Sequence, residues 1–188
     1  AAERGPTGPV VNVIDFSEVT LLDFSCADEI VAKLMLRHVR AVLDGGAAAA
    51  AEREGASEDA AGGATRSADA YFVFRGVGDG HLDAVEAVLE RHGLAIVAVV
   101  DGELRLVGDV EPEERSAWHA LHAVAPADAV RLATGIAAAA TSPAPATAPP
   151  GTAEVERVAA VLARLAARRL VMPAAGGGWL PVGLPALD

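Results

Sequence analysis

A short apolar strand that leads into a helix start constrains this chain more than any other feature. The segment from Val10 to Ile14 is mostly apolar and β-branched, which is typical of a strand buried on both faces, and Asp15 follows it. After Ser25, apolar residues recur at helical spacing from Ile30 onward, and Asp28 stands three residues after the serine, as in a capping box. We therefore expect a strand, a turn and a helix whose N-cap is Ser25.

Further strands and helices follow the same alternation. A strand is predicted from Tyr71 to Arg75, a helix from Leu82 to His92, a strand from Leu94 to Val100 and an acidic helix from near Glu111. Asp101 and Gly102 separate two β-type runs, and this dipeptide is a strong hairpin signal. The predicted fold class is α/β: a small sheet with helices packed on it, followed by a C-terminal helix and a β-hairpin.

Two low-complexity segments divide the chain. Residues 44–69 are rich in Ala, Gly, Glu and Ser and indicate an insertion, whereas the Pro/Ala-rich run from Ala137 to Gly151 indicates a linker. We therefore expect an α/β domain over 1–125 with its insertion at 44–69. A helix and the linker over 126–151 follow it, and then an amphipathic helix with a hairpin over 152–188.

Around Ser25 the chain resembles the STAS family, the sulfate-transporter and anti-sigma-factor-antagonist domain, in which a strand leads through an Asp-Ser-Ser/Thr-Gly turn into a helix. Asp23-Phe24-Ser25-Cys26 occupies that place. The likeness is closer to STAS-like variants in which an Asp-Phe pair, a valine, a serine and Ala-Asp-Glu replace the usual pattern. These residues are Asp15-Phe16, Val19, Ser25 and Ala27-Asp28-Glu29 here, and the resemblance covers roughly residues 10–125.

The resemblance implies a non-enzymatic regulatory module that binds a protein partner of the kinase or anti-sigma type. In that family a serine or threonine at this helix start is the phosphorylated switch, and Ser25 is the matching position. The implied partner surface consists of the neighbours of Ser25, namely Asp23, Phe24, Cys26, Asp28 and Glu29. The alternative is that Ser25 only caps the helix.

The C-terminal segment has a second, shorter resemblance. An amphipathic helix from Val155, a strand at Leu170-Val-Met-Pro173, three glycines and a second strand from Trp179 are similar to the last helix and wing of winged-helix domains. This order predicts a transcription regulator as the alternative function. The candidate DNA contacts are Arg164, Arg168 and Arg169. Packing of the same segment on the first domain or on a dimer partner is the other interpretation.

A third hypothesis is a small-ligand sensor or enzyme. Gly76, Gly78 and Gly80, with Asp79 between them, form a loop before a helix that could approach an anion. Their spacing differs from Gly-x-Gly-x-x-Gly, so we expect no dinucleotide cofactor and no other cofactor. The hypothesis combines this loop with a neighbouring Ser25 turn, because α/β folds bind ligands at the carboxyl ends of strands.

Composition excludes several classes of function. The net charge of −11 disfavours nucleic-acid binding by the whole chain, although residues 126–188 hold 4 acidic and 5 basic side chains. His119 and His122 share a helix face without an evident third ligand, so no metal is expected. No apolar run approaches the length of a membrane span and no charged-then-apolar leader opens the chain. We expect a cytoplasmic protein that does not bind membranes and that could form a homodimer to cover its sheet edge.

Overall fold

The apolar runs of the sequence form a mixed sheet. A computed structural model describes residues 9–37, 70–140 and 150–183. Its main sheet has the strand order β1-β2-β3-β4, where β1 is Val10–Asp15, β2 is Ala70–Arg75, β3 is Ala95–Val100 and β4 is Glu103–Gly108. The first three strands are parallel and β4 runs antiparallel to β3. Asp101 and Gly102 both have positive φ between β3 and β4, as a tight hairpin turn requires, so the predicted hairpin is confirmed.

Five helices and a second, smaller hairpin complete the described chain. The helices are α1 over residues 24–37, α2 Asp79–Arg91, α3 Pro112–Val124, α4 Ala129–Ala140 and α5 Thr152–Ala167. Within α1, a π-helical turn Asp28–Ala32 interrupts the α-helix. After α5, the antiparallel strands β5 Val171–Pro173 and β6 Trp179–Pro181 form the hairpin that the sequence predicts. The predicted α/β fold class, with helices on a sheet and a C-terminal helix and hairpin, is confirmed.

Side chains that alternate along the strands build a core on each face of the sheet. Phe74 and Ile96 point to the face that α1 and α2 cover, where they meet the buried Val31 and Leu89. On the opposite face, the buried sheet residues pack against α3, α4, α5 and the C-terminal hairpin; the sheet residues are Tyr71, Val73, Val97 and Leu106. The sheet is therefore the middle layer between two helical layers.

The C-terminal helix and hairpin share the core of the second face. Leu162 and Leu165 of α5 are buried in the same cluster as Val73 of β2 and Leu121 of α3. Ala127, between α3 and α4, forms an isolated antiparallel bridge with Trp179 of β6. The structure thus selects the interpretation in which the C-terminal segment packs on the α/β part. The predicted division into domains stays a prediction.

The strand β1 lies at an edge of the sheet. The sequence indicates a strand buried on both faces, but Val10 is 42% exposed and Val13 is 37% exposed. This expectation is wrong because β1 pairs with β2 alone among the described strands, and a run of β-branched residues cannot distinguish a central strand from an edge strand.

The two low-complexity segments lie largely outside the described residues. The predicted insertion at 44–69 lies outside the described residues, as does most of the Pro/Ala-rich linker. The helix α4 includes residues 137–140, which the sequence assigns to the start of that linker. No helix in the described ranges has both the length and the apolar character to cross a bilayer.

Candidate functional site

Asp23 caps the first helix. Its Oδ1 accepts a hydrogen bond from the backbone N–H of Cys26 at 2.8 Å, and its backbone is extended, as an N-cap residue requires. Ser25 lies within the first turn, so the predicted capping box of Ser25 and Asp28 is wrong. A carboxylate two residues earlier is a stronger acceptor for the free amides, and its charge complements the positive end of the helix.

The capping carboxylate also sets the chemistry of the turn. The hydrogen bond from Cys26 lowers the pKa of Asp23 below its ordinary value. In return, a side-chain hydrogen bond from the Cys26 thiol to the Asp23 carboxylate and the negative charge of Asp23 raise the pKa of this exposed thiol. A thiol with a raised pKa stays protonated at neutral pH. Because the thiolate is the reactive form, Cys26 is a weak nucleophile.

Exposed large apolar residues flank Ser25 in the chain. Leu21 is 77% exposed, Ile30 is 58% exposed and Phe24 is 39% exposed. Ser25 and Cys26 lie between them in the chain and are themselves exposed. We call these five residues the α1 patch. Three exposed large apolar side chains within ten residues make this segment a candidate interaction site.

The π-helical turn separates the buried and exposed sides of α1. Val31 and Ala32 are buried within it, and Met35 is buried one turn later. Ile30 therefore points outward beside the exposed Glu29, whose carboxylate pairs with Lys33. Single π-helical turns inside α-helices are frequent at functional sites because they change which side chains reach the surface.

Two contacts attach the start of α1 to the end of α2. The Arg91 guanidinium lies over the Phe24 ring, 5.6 Å from its centroid. Nε2 of His92 lies 2.8 Å from Oδ1 of Asp28, and this hydrogen bond lowers the pKa of Asp28. Asp28, which the resemblance places on the partner surface, is therefore half-buried in a contact between helices.

The glycine-rich loop lies at the other end of α2. Gly78 is the N-cap of this helix, and Asp79 and Gly80 begin it. Because α2 is 13 residues long, its two ends are about 18 Å apart. The expectation that this loop adjoins the Ser25 turn is wrong, since the neighbours of Ser25 contact Arg91 and His92 instead. The ligand hypothesis loses the shared site on which it was based.

A separate ion pair closes the carboxyl ends of β1 and β2. The Arg75 Nη2 lies 2.7 Å from Oδ2 of Asp15, and the Ser17 N–H donates to Oδ1 of the same carboxylate at 2.9 Å. Gly76 has a φ of +67° and passes close to this turn, because a Cβ there would lie 2.6 Å from the Ser17 nitrogen. The glycine is explained by this close approach, without a bound anion.

No protein-family model, curated protein or solved structure matches this chain. Its function must therefore be inferred from the chemistry of its side chains and from the arrangement of its helices and strands. The two surfaces to compare are the α1 patch and the arginines of the C-terminal segment.

The predicted DNA-contacting arginines make contacts within the protein. Arg164 pairs with Glu113 and Glu114 of α3 at 3.3 and 3.2 Å. Arg168 pairs with Glu114 at 3.3 Å and with Asp109 at 3.4 Å. Arg169 donates to the Tyr71 hydroxyl at 3.0 Å and stacks on its ring. The structure uses all three side chains to hold the C-terminal segment against α3 and the sheet.

The two histidines of α3 pack beside an indole ring. The rings of His119 and His122 lie 5.3 and 4.2 Å from that of Trp118, measured between centroids. Burial lowers the pKa of His122, and the charge of His119 lowers it further. Within residues 9–37, 70–140 and 150–183, no three His, Cys, Asp or Glu side chains cluster closely enough to hold a metal ion.

Sequence reasoning missed part of the α1 patch and its support. Leu21 and Ile30 each stand beside an apolar residue that is buried, Leu22 and Val31, so the sequence gives no sign of which of the pair faces outward. Arg91 could not have been linked to Phe24, because contacts across 67 residues leave no periodic signal.

Proposed function

We propose that this protein is a regulatory module that binds a protein partner through the α1 patch, of the kind that STAS-like domains provide. The observation that carries the proposal is the exposure of Leu21, Phe24 and Ile30 around Ser25. A monomeric surface gains nothing from three large apolar side chains in water, whereas a partner that covers them removes that cost.

The charges around the patch define the partner's chemistry. Asp23 and Glu29 are exposed beside the apolar residues, and Glu18 is exposed in the preceding loop. A partner with an apolar groove and basic side chains at its rim would complement this surface. A protein kinase or an anti-sigma-type regulator is the class that the STAS resemblance implies.

Ser25 is suited to act as the switch on this surface. It is exposed in the middle of the patch, and Asp23 already supplies the helix cap, so phosphorylation leaves the capping hydrogen bond in place. A phosphoryl group adds a charge of about −1.5 to −2 next to the Asp23 carboxylate. Arg91, whose guanidinium lies over the ring of the preceding residue Phe24, is a basic side chain that could respond to that charge. Phosphorylation would thus alter the patch while the fold persists.

The test is partner capture with three baits: the wild type, Ser25→Asp, and the double variant Leu21→Ser with Ile30→Ser. We expect a partner that the wild type retains, that the double variant loses, and that Ser25→Asp binds at least about tenfold differently. Circular dichroism and thermal melting of each bait test whether the exposed substitutions leave the fold intact. Phosphopeptide mass spectrometry of protein from the native host determines whether Ser25 is modified.

Ser116→Asp is the matched control. Ser116 is an exposed serine on α3, in the helical layer on the opposite face of the sheet, so the same added charge should leave capture unchanged. Equal capture by Ser25→Asp and the wild type would reduce Ser25 to a residue without a switching role. Equal capture by the double variant would remove the α1 patch from the interaction.

DNA binding by the C-terminal segment is the second candidate, and the order of elements favours it. The order of α3, the bridging residue Ala127, α4, α5 and the β5–β6 hairpin is similar to that of a winged-helix domain. The charges argue against it, because the arginines of α5 pair with acidic residues. Besides Glu156, Arg157 and Arg164, the exposed surface of α5 is mostly alanine; these alanines are Ala153, Ala159, Ala160, Ala163 and Ala167.

Fluorescence anisotropy with a labelled duplex tests this candidate. DNA contact predicts affinity that falls steeply between about 50 and about 200 mM salt and that drops when Arg164, Arg168 and Arg169 are each replaced by Gln. If the protein does not bind the duplex at about 50 mM salt, the C-terminal segment has only a packing role.

A further inference from the structure

Among the described residues, the outer edge of β1 is unpaired and mostly apolar. Phe16 N–H donates to the Arg75 carbonyl at 2.8 Å, across the parallel ladder between β1 and β2. Alternate residues of a strand face the same neighbour, so the backbone groups of Asn12 and Ile14 face β2. Those of Val11 and Val13 therefore face away from the sheet. Within the described chain, no strand pairs with this edge.

The opposite edge of the sheet is protected. Arg115 donates from Nη1 to the Leu106 carbonyl of β4 at 2.7 Å. The same strand carries Glu103 and Arg105, which are charged and exposed, and charges of this kind discourage pairing with another chain. The segment Val10–Ile14 has no charged residue and no proline, and its Val10 and Val13 are exposed. The β4 edge is therefore protected by a side-chain hydrogen bond and by charged residues, whereas the segment Val10–Ile14 has no charge that would discourage pairing.

We propose that two copies of this chain pair through β1, antiparallel and about a two-fold axis, to form one continuous eight-stranded sheet. The strand is self-complementary, because an antiparallel copy centred on Asn12 sets Val11 against Val13 and Val10 against Ile14, with Asn12 facing its own copy on the axis. Asp15 is its one charge and is neutralised by Arg75, so a second copy meets little repulsion at this edge despite the net charge of −11. The pairing satisfies the outward N–H and C=O groups of Val11 and Val13 and covers both exposed valines. It is independent of the α1 patch.

Sedimentation and amide hydrogen exchange of the full chain test this dimer. We expect a reversible monomer–dimer equilibrium with a dissociation constant of about 10 µM, since a single strand pair makes a small interface. Exchange at the Val11 and Val13 amides should slow at least about tenfold from dilute to concentrated protein. The Asn12 and Ile14 amides, which β2 already holds, should change little.

Two variants at one position control for folding. Val13→Lys should abolish the dimer by placing two ammonium groups near the axis, whereas Val13→Thr keeps a neutral β-branched side chain and should retain it. The proposal is overturned by a wild type that is monomeric at about 500 µM. A dimer that survives Val13→Lys, or Val11 and Val13 amides that become protected only when another protein is added, overturns it as well.

Discussion

Glu114 is a buried carboxylate whose two ion-pair partners both come from the C-terminal segment. It is 2% exposed and contacts Arg164 and Arg168, while its Oε2 accepts from the N–H of Glu111 at 3.3 Å. Glu114→Gln preserves the shape and the cap but removes the charge, which leaves two arginines without their shared counter-ion. Both are partly exposed, so we expect a loss of about 2 kcal/mol rather than the larger values of fully buried pairs.

Urea unfolding measures this loss, and the adjacent Glu113 gives a matched control. Glu113 is exposed and pairs with Arg157 and Arg164 at 3.5 and 3.3 Å. Ion pairs in solvent contribute little, so Glu113→Gln should cost less than about 0.5 kcal/mol. Equal effects of the two substitutions would show that burial of Glu114 does not strengthen its ion pairs.

Asp15 makes stability depend on acid pH. The hydrogen bond from the Ser17 backbone, reinforced by Arg75, lowers its pKa from 3.8 to about 2. Since the folded protein holds this proton less tightly than the unfolded chain, the stabilisation is complete above pH 3.8 and is lost as the pH falls towards 2. Asp15→Asn should therefore flatten the fall in the urea midpoint over this range and leave its slope above pH 5 unchanged. A wild-type slope in the variant between pH 4 and 2 would contradict the assignment.

At the scale of elements, two glycines between β2 and the first turn of α2 have different structural roles. Gly76 has positive φ and no room for a Cβ beside Ser17, whereas Gly80 sits in the first turn of α2 with no atom within 4 Å of a Cβ. Gly76→Ala should destabilise the protein by about 2 kcal/mol, since it adds a clash to backbone strain. Gly80→Ala should stabilise it by up to about 1 kcal/mol. Thermal melting of the pair separates the two roles, and equal melting temperatures would contradict them.

Local patterns predict most of these elements. The β3–β4 hairpin follows from Asp101 and Gly102, and the amphipathic period of α5 and the glycines before Trp179 indicate the C-terminal helix and hairpin. Each depends on residues close in sequence, which is the information that periodicity and turn chemistry contain. The edge position of β1 and the choice of Asp23 over Ser25 as the cap depend on which of several adequate residues the packing selects.

The candidate site is less predictable than the fold. The motif marks Ser25 and Phe24, but the exposure of Ile30 depends on the π-helical turn, and the contact of Arg91 with Phe24 depends on how α1 and α2 meet. For the arginines of the C-terminal segment, the sequence suggests an exposed charge that the structure pairs internally. Their sequence favours a basic surface, and the acidic residues that neutralise them lie about fifty positions away on α3. Pairing across layers determines whether a charge is available to a ligand.

At the scale of the whole molecule, one core joins the parts that the sequence separates. Leu162 and Leu165 are buried against the sheet face that holds Tyr71 and Val73, and the Trp118 indole donates to the Leu170 carbonyl at 3.1 Å. An apolar core shared in this way makes folding cooperative across the linker. We therefore expect a single unfolding transition that tryptophan fluorescence and circular dichroism report at the same urea concentration.

A chain that ends at Ala140 tests this cooperativity directly. It lacks α5 and the hairpin, so Tyr71, Val73, Trp118 and Leu121 would lose a large part of their apolar cover. With about 25 cal/mol lost per Å² of re-exposed apolar surface, the deficit exceeds the usual stability of a domain of this size. The truncated chain should lose its cooperative transition and bind a hydrophobic dye, and adding residues 150–188 as a separate peptide should restore part of the melt. A truncated chain that melts cooperatively near the wild-type temperature would instead establish an independent α/β domain, with the C-terminal segment as a separate unit.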